Sequence, residues 1–484
     1  MPIPAVTAFP AVVIGGGISG LFSAYRLQQA GVPVLVLEAG ERTGGVIRTV
    51  EPDGFRIETG PQSFLSTAAL LDLIERLDLN QELLRADPHA PRYILLRGEL
   101  VPAPLGPSSL LTTRLLGLRT KWRILSEPFR HTTPPAARAN PANPASEADA
   151  DESVASFVRR KFTQELSDRL VGPFVSGIYA GDPEKLSLRA AFPALHEFEQ
   201  NYGSIIRGQM KSRGGQRSPR AQLCSFREGM EALPRALTAR LGDAVHIRTS
   251  VTALRHGKAN GKPWFEVDIR RGNHVETLPA STVILASPAY VSAELVQQLS
   301  PALEARLLQI EYAPVAVVAT GYRNNQISGR RDGFGFLVPR TEGLRVLGTV
   351  WNSSLFPERA PAEMSCFTSF AGGATDPGLC SMDEQEIAAA VSREVEKILG
   401  ISEPPVTRLV QRYTRALPQY NLGHVKNVSG LNAALGALPG FFLTGNYLTG
   451  PSLGSCLEQA TRTAEQVRVF LTSAGITAGA VAHA

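Results

Sequence analysis

Residues 11–45 read AVVIGGGISGLFSAYRLQQAGVPVLVLEAGERTGG. Ala11-Val12-Val13-Ile14 is a short apolar strand, Gly15-Gly16-Gly17-Ile18-Ser19-Gly20 follows it, and a helical stretch runs to about Ala30. Val32–Leu37 is a second apolar strand that ends in Glu38. Strand, GxGxxG, helix, strand and acid, in that order, are what a dinucleotide-binding βαβ unit requires. Gly15 permits the tight turn, Gly17 lets the backbone approach a pyrophosphate, and Gly20 lets helix and strand pack closely. The helix start offers backbone donors and a positive dipole to phosphate, and Glu38 is placed to accept ribose hydroxyls.

Outward from this unit, the 484 residues are 43% hydrophobic and 19% charged, which excludes a disordered or fibrous chain. Forty-nine Lys and Arg against 44 Asp and Glu give a net charge of +5, compatible with anionic ligands or an anionic surface. Cys224, Cys366, Cys380 and Cys456 are widely spaced, with no CxxC, and suit a reducing cytoplasm rather than a disulfide framework or a metal site. No leader pattern opens the chain. The longest uncharged stretch, Asn427–Leu457, holds six Gly and two Pro and is unsuited to spanning a bilayer.

Residues 105–126, LGPSSLLTTRLLGLRTKWRILS, mix Leu, Ile and Trp with Arg and Lys and contain no acid, the composition of an interfacial anchor. Residues 131–151 read as a low-complexity loop, Phe157–Val171 as helix, and 207–220 as a basic solvated loop. Strands are expected at Ala244–Thr252, Trp264–Arg270 and Thr282–Ala286, then at 313–322, 334–338, 344–351, 365–371 and Phe441–Leu443, with a helix over Leu457–Leu471. No second GxGxxG follows a strand, so one dinucleotide site is expected.

Glu38-Ala39-Gly40-Glu41-Arg42-Thr43-Gly44-Gly45 resembles the EAxxRxGG string of the flavin-dependent amine oxidase superfamily, and Glu58-Thr59-Gly60-Pro61-Gln62 its next flavin-contact loop. Four further strings resemble the protoporphyrinogen oxidase family. They are Phe174-Val175-Ser176-Gly177-Ile178-Tyr179-Ala180-Gly181-Asp182-Pro183, Val338-Pro339-Arg340 with Ser353-Ser354-Leu355-Phe356-Pro357, Ala416-Leu417-Pro418-Gln419-Tyr420, and Gly445-Asn446-Tyr447-Leu448 with Ser452-Leu453-Gly454.

The resemblance implies an α/β fold: a Rossmann-type FAD-binding domain of the amine-oxidase kind, an α+β substrate domain and a helical membrane-binding lobe. Expected boundaries are 1–91, 211–299 and 435–484 for the FAD domain, 92–210 for the helical lobe and 300–434 for the substrate domain. It implies one non-covalent FAD per chain, held by Gly15, Gly16, Gly17, Ile18, Ser19, Gly20, Glu38, Ala39, Arg42, Gly44, Gly45, Thr59, Gly60, Pro61, Gln62, Val251, Tyr413, Pro451, Ser452 and Leu453. Arg92 is expected on a substrate propionate, Leu337 and Phe356 on either face of the macrocycle, and the Gly177 carbonyl at proton removal. His424 reads as structural. Tyr413 and Pro451 stand where the family often has Trp and Val, and Gln62 where many members have Asn.

The implied reaction is six-electron oxidation of protoporphyrinogen IX by O2 in heme or chlorophyll synthesis. Implied partners are the inner face of the cell membrane, a second copy of the chain and a ferrochelatase, with no nucleic acid. The rivals are a coproporphyrinogen III oxidase of the same family, another amine-oxidase-like flavoenzyme such as a carotene desaturase, and a porphyrin carrier without turnover.

Overall fold

The computed structural model describes residues 9–104, 106–130, 151–213, 221–259 and 262–476. The low-complexity segment 131–150 and the basic residues Arg217 and Arg220 lie outside them.

Five parallel strands form the first sheet, in the order Val245–His246, Val34–Leu37, Ala11–Ile14, Thr282–Leu285, Phe441–Leu443. Its central strands are almost wholly buried, because both faces are covered. On one face the helices Ile18–Gln29, Ala232–Leu241 and Leu453–Ser473 pack through Leu21, Phe22, Leu237, Leu457 and Val467. On the other lies an antiparallel meander, Ser250–Ala259, Lys262–Arg271 and His274–Ala280, which buries Phe265, Val267 and Ile269.

The second sheet has seven strands, in the order Thr407–Pro418, Tyr312–Arg323, Met364–Gly372, Val346–Trp351, Gly335–Leu337, Arg92–Leu96, Glu99–Pro102. Its last two strands come from the segment expected to open the helical lobe at 92, so the helices begin at Pro107 instead. The expected single strand over Ala244–Thr252 is two, because Arg248 turns at φ 50° between the parallel sheet and the meander. His274–Ala280 and Thr407–Pro418 are strands that the pattern does not reveal; both are edge strands, with one side unpaired.

The helix expected over Phe157–Val171 is broken. Val154–Lys161 ends before Gln164–Leu166, and a π-turn over Ser167–Val171 leads into Gly172–Tyr179. The expected basic loop over 207–220 begins inside a helix, Ile205–Arg213. The C-terminal helix extends from Leu453 to Ser473, capped by the Ser452 hydroxyl, which accepts from the Ser455 N–H at 3.1 Å.

Candidate flavin and substrate site

The glycine loop sits at the C-terminal end of Ala11–Ile14. Gly15 adopts φ +109°, a left-handed conformation open to glycine, and a Cβ on Gly20 would stand 2.0 Å from the Gly15 carbonyl. Gly17 differs: nothing lies within 4 Å of where its Cβ would project. The helix that starts at Ile18 has no side-chain cap and no acid in its first turn, so its leading N–H groups face that open space. Glu38 accepts the Gly16 N–H on one oxygen and the Gly40 N–H on the other, both at 2.7 Å. This fixes the carboxylate at the mouth of the loop with lone pairs remaining for hydroxyl donors. An open cradle, free N–H groups and an anchored acid fit a dinucleotide.

Ala39 is exposed beside Glu38. Arg42 is not aimed into the cradle: its guanidinium donates to the carbonyls of Thr43, Ile47 and Gly45. It staples the following turn, whose Gly44 N–H donates to the Gly16 carbonyl at 2.8 Å while Gly17 and Gly44 form a bridge. Gly45 closes on the Gly17 Cα, 3.4 Å from where its own Cβ would be.

The Thr59–Gln62 loop is held from several sides. A Cβ on Gly60 would stand 2.1 Å from the Val46 carbonyl. Gln62 is buried, donates to the Glu58 and Gly60 carbonyls, and accepts from Asn352 Nδ2 at 2.7 Å. Tyr413 points its hydroxyl at Thr59 Oγ1, 3.5 Å away. Val251 is half-buried against the parallel sheet. Pro451 and Ser452 are at least partly accessible, whereas Leu453 is buried among the helices.

Cross-strand register assembles the substrate candidates. Arg92 pairs with Gly335 and Ile94 with Leu337; Leu337 pairs with Gly348, Gly348 with Phe370, and Phe370 with Val317. Val317 pairs with Gln411, two residues from Tyr413 on the same strand. Directly paired residues share a face, as do residues two apart, so one face of this sheet runs from Arg92 past Leu337 to Tyr413. The helix Gly172–Tyr179 covers part of it: a Cβ on Gly177 would come within 2.7 Å of the Leu337 side chain. That helix leaves Phe174, Gly177 and Ile178 exposed on one side, an apolar stripe. Gly177 lies in its last turn, where carbonyls lack an intrahelical donor.

Arg92 is exposed, stacks over Phe334 at 5.2 Å and forms no ion pair among the described residues. Phe356, expected beside a macrocycle, is a buried ring. It is 3% exposed, clustered with Ala86 and Leu355, with the Arg359 guanidinium 5.8 Å from its ring centre, and so backs the wall. His424 is buried against Tyr420, and burial holds its imidazole down to about 4, neutral and structural.

The helical lobe turns its apolar side outward. Along Leu118–Leu125 and the turn after it, Leu118, Trp122, Leu125 and Phe129 are 85%, 64%, 55% and 81% exposed, while Thr120 faces inward to Thr163 and Glu165. Beneath, Lys161 pairs with Glu199 at 3.0 Å, Arg160 with both Glu199 and Glu152, and Glu127 accepts from Ser204 and the Ile205 N–H. No helix among the described residues is long and apolar enough to cross a membrane.

The sequence pattern of flavin-containing amine oxidoreductases matches residues 18–468. The chain is 36% identical over 488 residues to the chloroplastic protoporphyrinogen oxidase of Oryza sativa subsp. japonica, covering 95% of this chain and 88% of the rice protein. It is 29% identical to the coproporphyrinogen III oxidase of Bacillus subtilis (strain 168), over 96% of this chain and 98% of that protein. A solved structure from Exiguobacterium sp. 255-15, named provisionally as a protoporphyrinogen oxidase, superposes with a TM-score of 0.78 at 25% identity, covering 95% of this chain and 99% of that one. Matched over nearly its whole length and built on the same fold, the chain belongs to the flavin-containing amine oxidoreductases, on the protoporphyrinogen oxidase branch.

Proposed function

We propose that the chain oxidises protoporphyrinogen IX to protoporphyrin IX, removing six electrons in three rounds through one non-covalently bound FAD, with O2 as acceptor. The observation that carries this reading is the single sheet face from Arg92 to Tyr413, roofed by the apolar stripe Phe174, Gly177 and Ile178. Such a cleft suits a flat, largely apolar macrocycle with carboxylates at one edge.

FAD, when bound, supplies the electron acceptor for C–H oxidation. The Gly15–Gly20 loop, Glu38, the Thr59–Gln62 loop, Val251, Tyr413 and Pro451–Leu453 would hold it. The chain's own task is positioning, worth roughly 7–11 kcal/mol when reacting groups are well aligned. Arg92 offers a guanidinium fork to a propionate. Leu337 and the roof shield the reacting carbon, and the Gly177 carbonyl accepts a hydrogen bond from a substrate N–H and so assists release of its proton, which passes on to water. The helix Leu453–Ser473 starts at the Pro451–Leu453 segment, so its positive end would favour negative charge on the bound flavin.

The reading divides the chain into an FAD lobe, a substrate sheet that includes Arg92–Pro102, and a helical lobe from Pro107. The Leu118–Phe129 ridge docks the protein on the inner face of the cell membrane, with burial of each large side chain contributing about 1.5–3 kcal/mol. A homodimer and transfer of product to a ferrochelatase complete the reading.

The second reading is coproporphyrinogen III, a tetracarboxylate. Aerobic turnover followed by porphyrin fluorescence, with both porphyrinogens in parallel, decides between them. Preference for coproporphyrinogen III overturns the substrate assignment, and turnover of neither overturns the reaction.

A further inference from the structure

Glu58 and Arg359 are each 1% exposed on their side chains and meet at 3.1 Å. Burial pushes the Glu58 carboxyl up against the pull of Arg359, and pushes the Arg359 guanidinium down. Glu58 also accepts the Met230 N–H at 2.9 Å and the Thr49 hydroxyl at 2.8 Å. Arg359 donates to the Ser225 hydroxyl at 2.5 Å and the Phe226 carbonyl at 3.2 Å, and its Nη1 has no hydrogen-bond partner among the described residues. A buried pair left partly unsatisfied is poor value as a source of stability, since apolar groups of the same volume often do as well or better.

Its location suggests another use. Glu58 immediately precedes the Thr59–Gln62 loop, and Arg359 lies under the Phe356 ring on the strand-to-turn segment that leaves Trp351. A second buried link, Asn352 to Gln62, joins the same two segments. The Arg56 N–H donates to the Arg359 carbonyl at 3.1 Å, and the exposed Arg227–Glu358 pair closes the edge. An ion pair and an amide bond have preferred directions that apolar packing lacks, so together they fix the sliding register of one segment on the other.

We propose that Glu58–Arg359, seconded by Gln62–Asn352, is a registration clamp that sets the seven-stranded sheet against the flavin loop. Glu58 and Arg359 are positioning residues for electron transfer from the substrate, acting through Thr59 and the Phe356 wall. This rests on the oxidase reading given above.

The test uses flavin-loaded Glu58→Gln/Arg359→Met, in which both charges are removed and an acceptor remains for Met230. Stopped-flow would follow flavin bleaching by protoporphyrinogen IX, and separately the reoxidation of dithionite-reduced protein by O2. FAD content and melting temperature are measured beside them. The clamp predicts near-normal FAD content, melting and reoxidation, with bleaching slowed ten- to hundred-fold at saturating substrate, and partial recovery in Arg359→Lys. Bleaching at the wild-type rate overturns it. So does a loss of bleaching, reoxidation and FAD content in equal measure. Should the double variant not fold, Asn352→Leu, which removes the donor to Gln62 and leaves the flavin loop's own residues intact, is put through the same comparison against the same two outcomes. If wild-type protein is not bleached by the porphyrinogen, the substrate reading fails and not the clamp.

Discussion

Gly17 shows how a residue's role follows from the space beside it. Nothing crowds its missing side chain, so Gly17→Val should fold normally, fill the cradle and lose flavin. Equal FAD absorbance in purified wild-type and variant protein would refute the phosphate assignment. Arg92 forms no ion pair among the described residues and lies on the face shared with Leu337. Arg92→Ala should therefore raise KM by roughly 10- to 150-fold, the 1.5–3 kcal/mol of a charged hydrogen bond, with little change in kcat. A steady-state titration with porphyrinogen checks this. The placement of both residues, one in the glycine loop and one on a strand, follows from local sequence. The burial of Phe356 against Ala86 and Leu355 was not legible, because family position says nothing about which way a ring turns. Arg359, whose partner Glu58 lies about 300 positions away, left no trace in local pattern.

At the level of elements, Leu118–Leu125 is legible as basic and amphipathic, but its inward polar side is not. A sequence period reports that two faces differ, and only packing tells which one the protein keeps. Here Thr120 faces in, held by Glu165 and Thr163, and the Leu and Trp face out. Leu118→Glu/Trp122→Glu should release the protein from anionic vesicles and leave its melting temperature within about 1 °C, since exposed sites away from special features change stability little. Continued sedimentation with vesicles would place the anchor elsewhere. The missed strand Thr407–Pro418 has a related cause. Arg408, Arg412 and Arg415 interrupt any alternation, as they are free to do on an outer strand with one open side.

Over the whole molecule, the fold class was legible because each sheet has its own sequence habit: continuous apolar runs for the parallel one, mixed runs for the antiparallel one. What joins the two sheets was not, because those contacts link distant segments. One consequence concerns acid. His424 is buried neutral, so protons bind the unfolded chain first as pH falls. Its contribution to stability is complete above about pH 6.5 and is lost between there and about 4, by about 3 kcal/mol in all. His424→Phe should flatten the melting temperature across that interval, as scanning calorimetry would show; an unchanged slope would exclude this histidine as the cause.

The parallel sheet takes its third strand from Ala11–Ile14 and its edge strand from Phe441–Leu443, with the first helix resting on the last. During synthesis, the glycine loop leaves the ribosome long before the strand and helix that finish its surroundings. At 5–20 residues per second the wait is roughly 20–90 s. For that time Leu21, Phe22 and their neighbours have no C-terminal helix to cover them. Cofactor capture is thus a late event in the life of each chain, and the nascent N-terminal half is a natural client for chaperones.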